Sequence, residues 1–529
     1  MEGAASHPEE TKFRQKPLSL ANAREAVLVR STLHHLLLAI GLFAFFAGFL
    51  ALVQHSTLNL IGTDGYYHIK LAYLMRTVGL KPDFPWLPLT VLNPQDFVDH
   101  HFLYHVFLIP FTLGDLRVGA KLASVIFPAL AFVLVWWLLQ RQKVPYAWLW
   151  ALFLVVISEA FIYRMSMPRA QSLSLAFLVL GLHWLFAEKY IRLIPLAFLY
   201  VWLYDAFPLL AVVAGLYALS VWLTERRLVW QPLVYTAAGI GLGLLVNPYF
   251  PENLTFIYHH LIPKLAGPTE TSVGSEWYPY RTTQLMENSG LALVALVGGI
   301  LALGFQERRI DARTLTGLLL VILFGVMLFQ SRRFIEYFPP FALIFSAMAW
   351  APIIQSWRVS GEGRLPMSVW LRAWLPAAAL ILVLGITLLP NLKAAQDSVE
   401  GARPYQRYAE AAGWLQANSK PGEGVFQTDW DDFTRLFFHN SQNTYTLGLD
   451  PTYLQNYDSE KYDLWVDITR GDVDRPAATI AESFGAGFVF TDLEHDGFLE
   501  AAEADPGLVE VYRDQEAAIF AVQPGQGEQ

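Results

Sequence analysis

Six short stretches of this chain hold residues that could do chemistry together. "GTDGYYHIKLAY" (62–73) carries Asp64 and His68 four residues apart, a spacing that puts two side chains on one face of a helix. Such a pair can share a metal ion or pass a proton, and an acid at a loop-to-helix transition can equally be an N-cap. "FVDHHFLYH" (97–105) sets His101 and His105 one turn apart behind Asp99, a donor set for a divalent cation or the polar edge of an interfacial segment. "SVGSEWYPY" (272–280) contributes Glu276. "FIYRMSMPRAQ" (161–171) contributes Arg164 and Arg169, and "QSRRFIEYF" (330–338) contributes Arg332 and Arg333, with Glu336 as an available partner. Guanidinium forks pair phosphate oxygens two at a time, so these arginines suit a phosphate or pyrophosphate head; anchoring of lipid headgroups is the plainer alternative. "WDDF" (430–433) offers Trp430 as an aromatic platform and Asp431 and Asp432 as hydrogen-bond acceptors, although an acidic turn after a strand has the same look.

The elements that must position these residues are membrane helices. The chain has 529 residues, 54% hydrophobic and 16% charged, with a mean hydropathy of +0.35. Soluble domains carry about 25% charged residues. Apolar runs fall near 33–54, 118–140, 146–162, 171–187, 193–205, 207–223, 231–247, 290–305, 314–330, 337–354 and 372–391, which predicts a polytopic α-helical membrane protein of about eleven spans. The first run is too long for a signal-peptide core and reads as a retained span. The absence of cysteine excludes thiol chemistry, disulfides and Cys-ligated zinc. The net charge of −9 comes largely from the C-terminal region, and nucleic acid is not an expected partner.

Basic connections alternate: "RQK" (141–143), "EKYIR" (188–192), "TERR" (224–227), "QERRIDAR" (306–313) and "SWRVSGEGR" (356–364). The positive-inside rule puts these in the cytoplasm with the N-terminal tail, residues 1–32. A transmembrane domain over 33–392 then presents two loaded outer loops, 55–117 and 248–289, and an odd number of spans puts 393–529 outside. Arg164, Arg169, Arg332 and Arg333 also fall at outer ends of spans, against the insertion bias. The stretch after Asp64 predicts an amphipathic helix lying in the outer interface, where tyrosines are favoured. Residues 393–529 mix helix-like "PYQRYAEAAGWLQAN" and "FLEAAEAD" with β-rich "GEGVFQT", "GAGFVFTD" and "AAIFAVQ", which predicts a small extracytoplasmic α/β domain with its own core.

Taken in chain order, an outer-loop aspartate after the first span, "SVGSE" closing a later outer loop, an arginine pair before a late span and "WDDF" in an outer C-terminal domain resemble the catalytic subunit of oligosaccharyltransferase. More broadly they resemble the GT-C class of membrane glycosyltransferases. The resemblance implies a multi-pass protein, with a bacterial inner membrane and a periplasmic catalytic side, a polyprenyl-linked sugar donor and a glycan, lipid or protein acceptor. It implies Asp64 as general base or metal ligand, with His68 and Glu276 beside it; Arg332, Arg333, Arg169 and Arg164 on the donor phosphate; and Trp430, Asp431 and Asp432 toward the acceptor. A divalent cation, Mg or Mn, would draw on Asp64, Asp99, His101 and Glu276; a metal-independent mechanism resting on the arginines is the other course. Departures are visible. Pro168 and Arg169 stand where the family carries an acidic pair, "SVGSE" is one residue longer than its motif, and "WDDF" lacks the second tryptophan of WWDYG. These departures point to an acceptor other than the Asn-x-Ser/Thr sequon. Two other classes use similar residues: a lipid-linked sugar transporter or flippase, and a non-catalytic scaffold of a glycan assembly system.

Overall fold

The computed structural model describes residues 20–266, 274–359 and 369–523. The N-terminal tail to residue 19, the "TETSV" part of the second outer loop and most of the connection "SWRVSGEGR" lie outside these.

Among the described residues, seven helices are long and apolar enough to cross a membrane: Thr32–Gln54, Leu116–Arg141, Pro208–Glu225, Thr282–Gly304, Ala312–Gln330, Phe338–Trp357 and Trp374–Glu400. The expectation of about eleven spans is not reproduced as such. The run at 146–162 is a pair, Ala147–Val155 and Glu159–Met165, bent by 82°. Its cause is local. Ser158 is extended (φ −163°, ψ 125°) and its Oγ accepts from the Phe161 amide, so a fresh helix starts inside an unbroken apolar run. The runs at 171–187, 193–205 and 231–247 form helices Gln171–Phe186, Leu193–Leu203 and Gln231–Leu245, of 16, 11 and 15 residues, short of a full crossing. Asp115 and Asp311 cap the helices Leu116–Arg141 and Ala312–Gln330, each carboxylate accepting backbone N–H groups that helix starts leave unpaired. The last helix runs on to Glu400, past the expected boundary at 392.

Two helices frame the site. The first, α1 (Leu20–Gln54), leads through a turn into α2 (Asp64–Thr77). The helix expected after Asp64 forms, but not as an amphipathic one in a lipid interface, since Gly65 to Ile69 are all buried. Tyr66, Tyr67, Leu71 and Met75 are buried. The soluble domain covers them: Tyr66 stacks on Tyr405 at 5.5 Å, Arg435 lies over the Tyr66 ring, and Lys70 donates to the Phe438 carbonyl.

The soluble domain is built on five strands, β1 (Gly424–Gln427), β2 (Thr444–Tyr445), β3 (Ala486–Asp492), β4 (Leu508–Arg513) and β5 (Ala517–Val522), in the order β2-β1-β3-β5-β4. β1 runs parallel to β2 and β3, whereas β5 is antiparallel to both β3 and β4. Residues alternate between two cores, as the pleat requires. Phe426, Val489 and Phe520 pack with Trp465, Ile468 and Phe498 of the domain's own helices. Val425, Phe490 and Ile519 face the other way, into a cluster shared with Leu71, Phe84 and Leu87 of the first outer loop. The domain therefore does not complete its core alone, as its sequence suggested. Half of its sheet is finished by the loop that begins with Asp64, and backbone bonds from Tyr445 N to Trp86 O and from Val91 N to Tyr453 O stitch the two together.

Candidate active site

A cavity of about 770 Å³ opens at one end of the bundle, beneath the soluble domain. Asp64 and His68 line it from α2, Arg164 and Arg169 from the end of the bent pair, and Glu276 and Arg333 from the far side. Trp430 and Asp431 enter from the domain above. Residues remote in the chain, Asp64 and the Arg332/Arg333 pair, thus meet at one cavity.

An array of ion pairs forms its floor. Arg164 donates Nε and Nη2 to Glu336 and Nη1 to Glu276 Oε2 at 2.6 Å. Arg169 donates Nη1 to the same Glu276 oxygen at 2.9 Å and Nη2 to Asp64 Oδ2. Burial separates the roles. The side chains of Arg164 and Glu336 are 9% and 1% exposed, and breaking such a pair costs about 3–5 kcal/mol, so this end of the array is a structural anchor. Arg169 and Asp64 are 22% and 25% exposed and border the open space. Burial alone would raise the Glu276 carboxyl, but Arg169, Arg164 and Arg333 outweigh it and hold Glu276 well below the usual carboxylate range. Burial likewise opposes the charge on Arg169, and Asp64 and Glu276 restore it, so its pKa is raised.

Arg333 is less committed. Its link to Glu276 is 3.5 Å long, its Nη2 donates to the Tyr204 hydroxyl, and its plane lies over Trp277 at 4.8 Å. Arg332 donates to the Pro279 carbonyl and lies over Tyr280 at the rim.

Asp64 does not cap its helix. Thr63 takes that position without a side-chain cap bond, and the Asp64 carboxylate is given to Arg169 instead. Nor do Asp64 and His68 pair. His68 Nδ1 meets His105 Nε2 at 2.8 Å, and His105 Nδ1 meets Asp99 Oδ2 at 2.7 Å. A carboxylate only accepts, so His105 Nδ1 donates to Asp99, and its Nε2 shares one proton with His68 Nδ1. Burial, with His105 next, keeps His68 well below the ordinary histidine pKa and therefore neutral. Asp99 is consequently turned away from the cavity, and His101, which does line it, keeps its Nδ1 buried without a partner among the described residues. Asp64, Asp99, His101 and Glu276 do not assemble as a metal set. Among the described residues no three His, Asp or Glu side chains are grouped as ligands of one cation.

In "WDDF" the two acids diverge. Asp431 lines the cavity and its Oδ1 accepts from the Thr63 hydroxyl at 2.8 Å, joining the domain to the start of α2. Asp432 does not line the cavity; it is buried, and that burial, with Asp429 and Asp492 nearby, raises its pKa well above the ordinary value. The expectation that Asp432 faces an acceptor is corrected. Burial, and then the charge of Asp64, lift Asp431 to about 6 from 3.8. The folded chain thus binds this proton more tightly than the unfolded chain. The contribution to stability is full below pH 3.8, is lost as pH rises through 6 and stays lost above. Asp431→Asn should therefore raise the melting temperature at pH 7.5 and leave it nearly unchanged at pH 4, as read by thermal unfolding in detergent; equal shifts at both pH values would contradict this account.

Tyr204 and Asp205 also line the cavity, and were not picked out from the sequence. Asp205 meets His260 Nε2 at 3.3 Å; burial raises its pKa, but the His260 bond and Arg333 outweigh this and lower it. The signal was present: "YDAF" is a short turn between two apolar runs, and an acid there is rarely idle.

The fold has solved counterparts. The oligosaccharyltransferase of Archaeoglobus fulgidus in its apo form aligns over 92% of this chain and 75% of its own, at 14% identity and a TM-score of 0.65. The archaeal oligosaccharyltransferase AglB from Archaeoglobus fulgidus, in complex with an inhibitory peptide and a dolichol-phosphate, aligns over 93% of this chain and 75% of its own, at 14% identity and a TM-score of 0.59. The arabinofuranosyltransferase AftD from Mycobacteria aligns over 92% of this chain and 40% of its own, at 15% identity and a TM-score of 0.52. No family model and no curated protein matches the sequence. What this chain shares with these solved structures is the fold, a polytopic helical bundle with a C-terminal α/β domain.

Proposed function

We propose that this chain is an inverting glycosyltransferase. It takes a sugar or oligosaccharide from a polyprenyl-(pyro)phosphate donor and passes it to a glycan, lipid or protein acceptor at the extracytoplasmic membrane face. One observation carries the reading: Asp64, Arg169, Glu276 and Arg333 converge on a single cavity between the bundle and the soluble domain. The names of the proteins that share the fold, and the dolichol-phosphate bound to one of them, support a lipid-phosphate donor.

In this reading the acceptor oxygen attacks the anomeric carbon from the side opposite the phosphate. The carbon–oxygen bond to phosphate breaks with its electron pair on the phosphate oxygen, and the acceptor proton passes to Asp64. Arg333, with Arg332 at the rim, neutralises the charge that grows on the phosphate. A preorganised donor of this kind is worth about 10²–10³ in kcat. Trp430 and Asp431 bound the acceptor side.

The test is transfer of a radiolabelled sugar by purified protein in nanodiscs, supplied with a panel of polyprenyl-phosphate and polyprenyl-pyrophosphate donors. Arg333→Ala should raise the donor KM at least about tenfold while moving the acceptor KM little. The reverse kinetic pattern would refute this placement of the donor. Passage of intact donor across the bilayer without bond cleavage would favour a transporter.

A further inference from the structure

Asp64 and Glu276 are the two acids of the array that border the cavity, and one side chain joins them. Arg169 gives Nη2 to Asp64 Oδ2 and Nη1 to Glu276 Oε2. A single guanidinium fork thus spans two carboxylates, the office that a bridging divalent ion performs elsewhere. The position is built, not accidental. Arg169 follows Pro168 in a tight turn, its amide bonded to the Met167 carbonyl, and the Pro168 ring is seated on Gly65 at the first turn of α2. The surroundings also disfavour a metal. Glu276 already receives Arg164, Arg169 and Arg333, so an entering cation would meet three guanidiniums. Mg²⁺ needs near-octahedral oxygen ligation at about 2.0–2.1 Å, whereas Asp99 is spent on His105.

We propose that the Arg169 guanidinium is the resident cation of this site, permanently holding the bridging place between Asp64 and Glu276, so that sugar transfer proceeds without a divalent metal. Its part is to hold Asp64 by Oδ2, which leaves Oδ1 without a partner among the described residues and open to the acceptor. Arg169 gives up no proton. The bond that forms is acceptor oxygen to anomeric carbon, the bond that breaks is anomeric carbon to phosphate oxygen, and the proton goes to Asp64. The catalytic half of the inference rests on the glycosyltransferase reading; the exclusion of a divalent ion does not.

The experiment therefore has two independent readouts on the full-length protein in detergent. Titration with Mn²⁺, followed by electron paramagnetic resonance, should leave the free-ion signal of the wild type undiminished. Transfer in excess EDTA should stay within about twofold of the untreated rate. Arg169→Lys keeps the charge but loses the fork; it should lower transfer about 10²-fold and gain no Mn²⁺ binding. Arg169→Asp adds a third carboxylate and should capture Mn²⁺ near one equivalent. Stoichiometric Mn²⁺ binding by the wild type, or inactivation by EDTA, would overturn the assignment, as would a folded Arg169→Asp that binds no Mn²⁺. The two wild-type measurements decide even if that variant fails to fold. If Mn²⁺ is excluded but no donor supports transfer, the glycosyltransferase reading falls and the cation assignment stands.

Discussion

Asp64→Asn should lower kcat for sugar transfer by about 10²–10⁴-fold while leaving the donor KM within about threefold. The substitution is nearly isosteric, and the amide oxygen can still accept from Arg169, so the array of the floor has no reason to collapse. What disappears is the capacity to take a proton and the negative charge that answers Arg169. Arg333 and the Trp277 ring beneath it are untouched, which is why donor binding should survive. Initial rates with radiolabelled donor, and photocrosslinking of a polyprenyl-phosphate probe to the same preparation, check both halves. A variant that keeps more than about a tenth of the wild-type rate would remove Asp64 from the chemistry. One that loses crosslinking as well as transfer would mean that Asp64 acts on the donor.

Gly65→Ala is the second large effect, and it touches no polar group. A Cβ built at Gly65 runs into the Pro168 ring, and the space has no slack: Pro168 Cδ and Cβ also lie at 3.2 and 3.3 Å. The residue before Arg169 must then move outward and take the guanidinium with it. A displacement of about 1 Å at a reacting centre costs about 10²-fold. Alanine is otherwise the better helix former, by about 1 kcal/mol, so global unfolding is not the expected route to inactivity. The expected result is a kcat reduced about 10²-fold with a melting temperature near that of the wild type. Gly65→Ala combined with Pro168→Gly should recover much of that loss, because the second change removes the ring that the first one meets. If the double variant is as inactive as the single one, the contact between the two segments is not what places Arg169.

Part of this site is legible in the sequence, and the reasons differ by residue. Asp64, Glu276 and the arginine pair at 332 and 333 could be expected near one another, because the connections that hold them alternate with the basic ones. Which partner each would choose could not. Arg169 stood out as a departure from an acidic motif, yet its reach to both Asp64 and Glu276 depends on the turn at Pro168 and the bare Cα of Gly65. The histidines show the limit of spacing. His101 and His105 lie one turn apart, but His105 is sandwiched between His68 and Asp99, whereas His101 faces the cavity. Periodicity names neighbours along a helix and is silent on what lies across from it. Asp431 and Asp432 are adjacent in a single 3₁₀ turn and only Asp431 borders the cavity, a distinction invisible in "WDDF". The strands of the soluble domain were readable from alternation, but the cover on their second face was supplied by a segment some three hundred residues upstream.

That shared core ties the soluble domain mechanically to the cavity beneath it. Asp64 begins the helix whose flank is glued to the soluble domain through Tyr66, Lys70 and the Thr63–Asp431 bond. Any displacement of the domain therefore pulls on the first turn of that helix, and through it on the contact between Asp64 and Arg169.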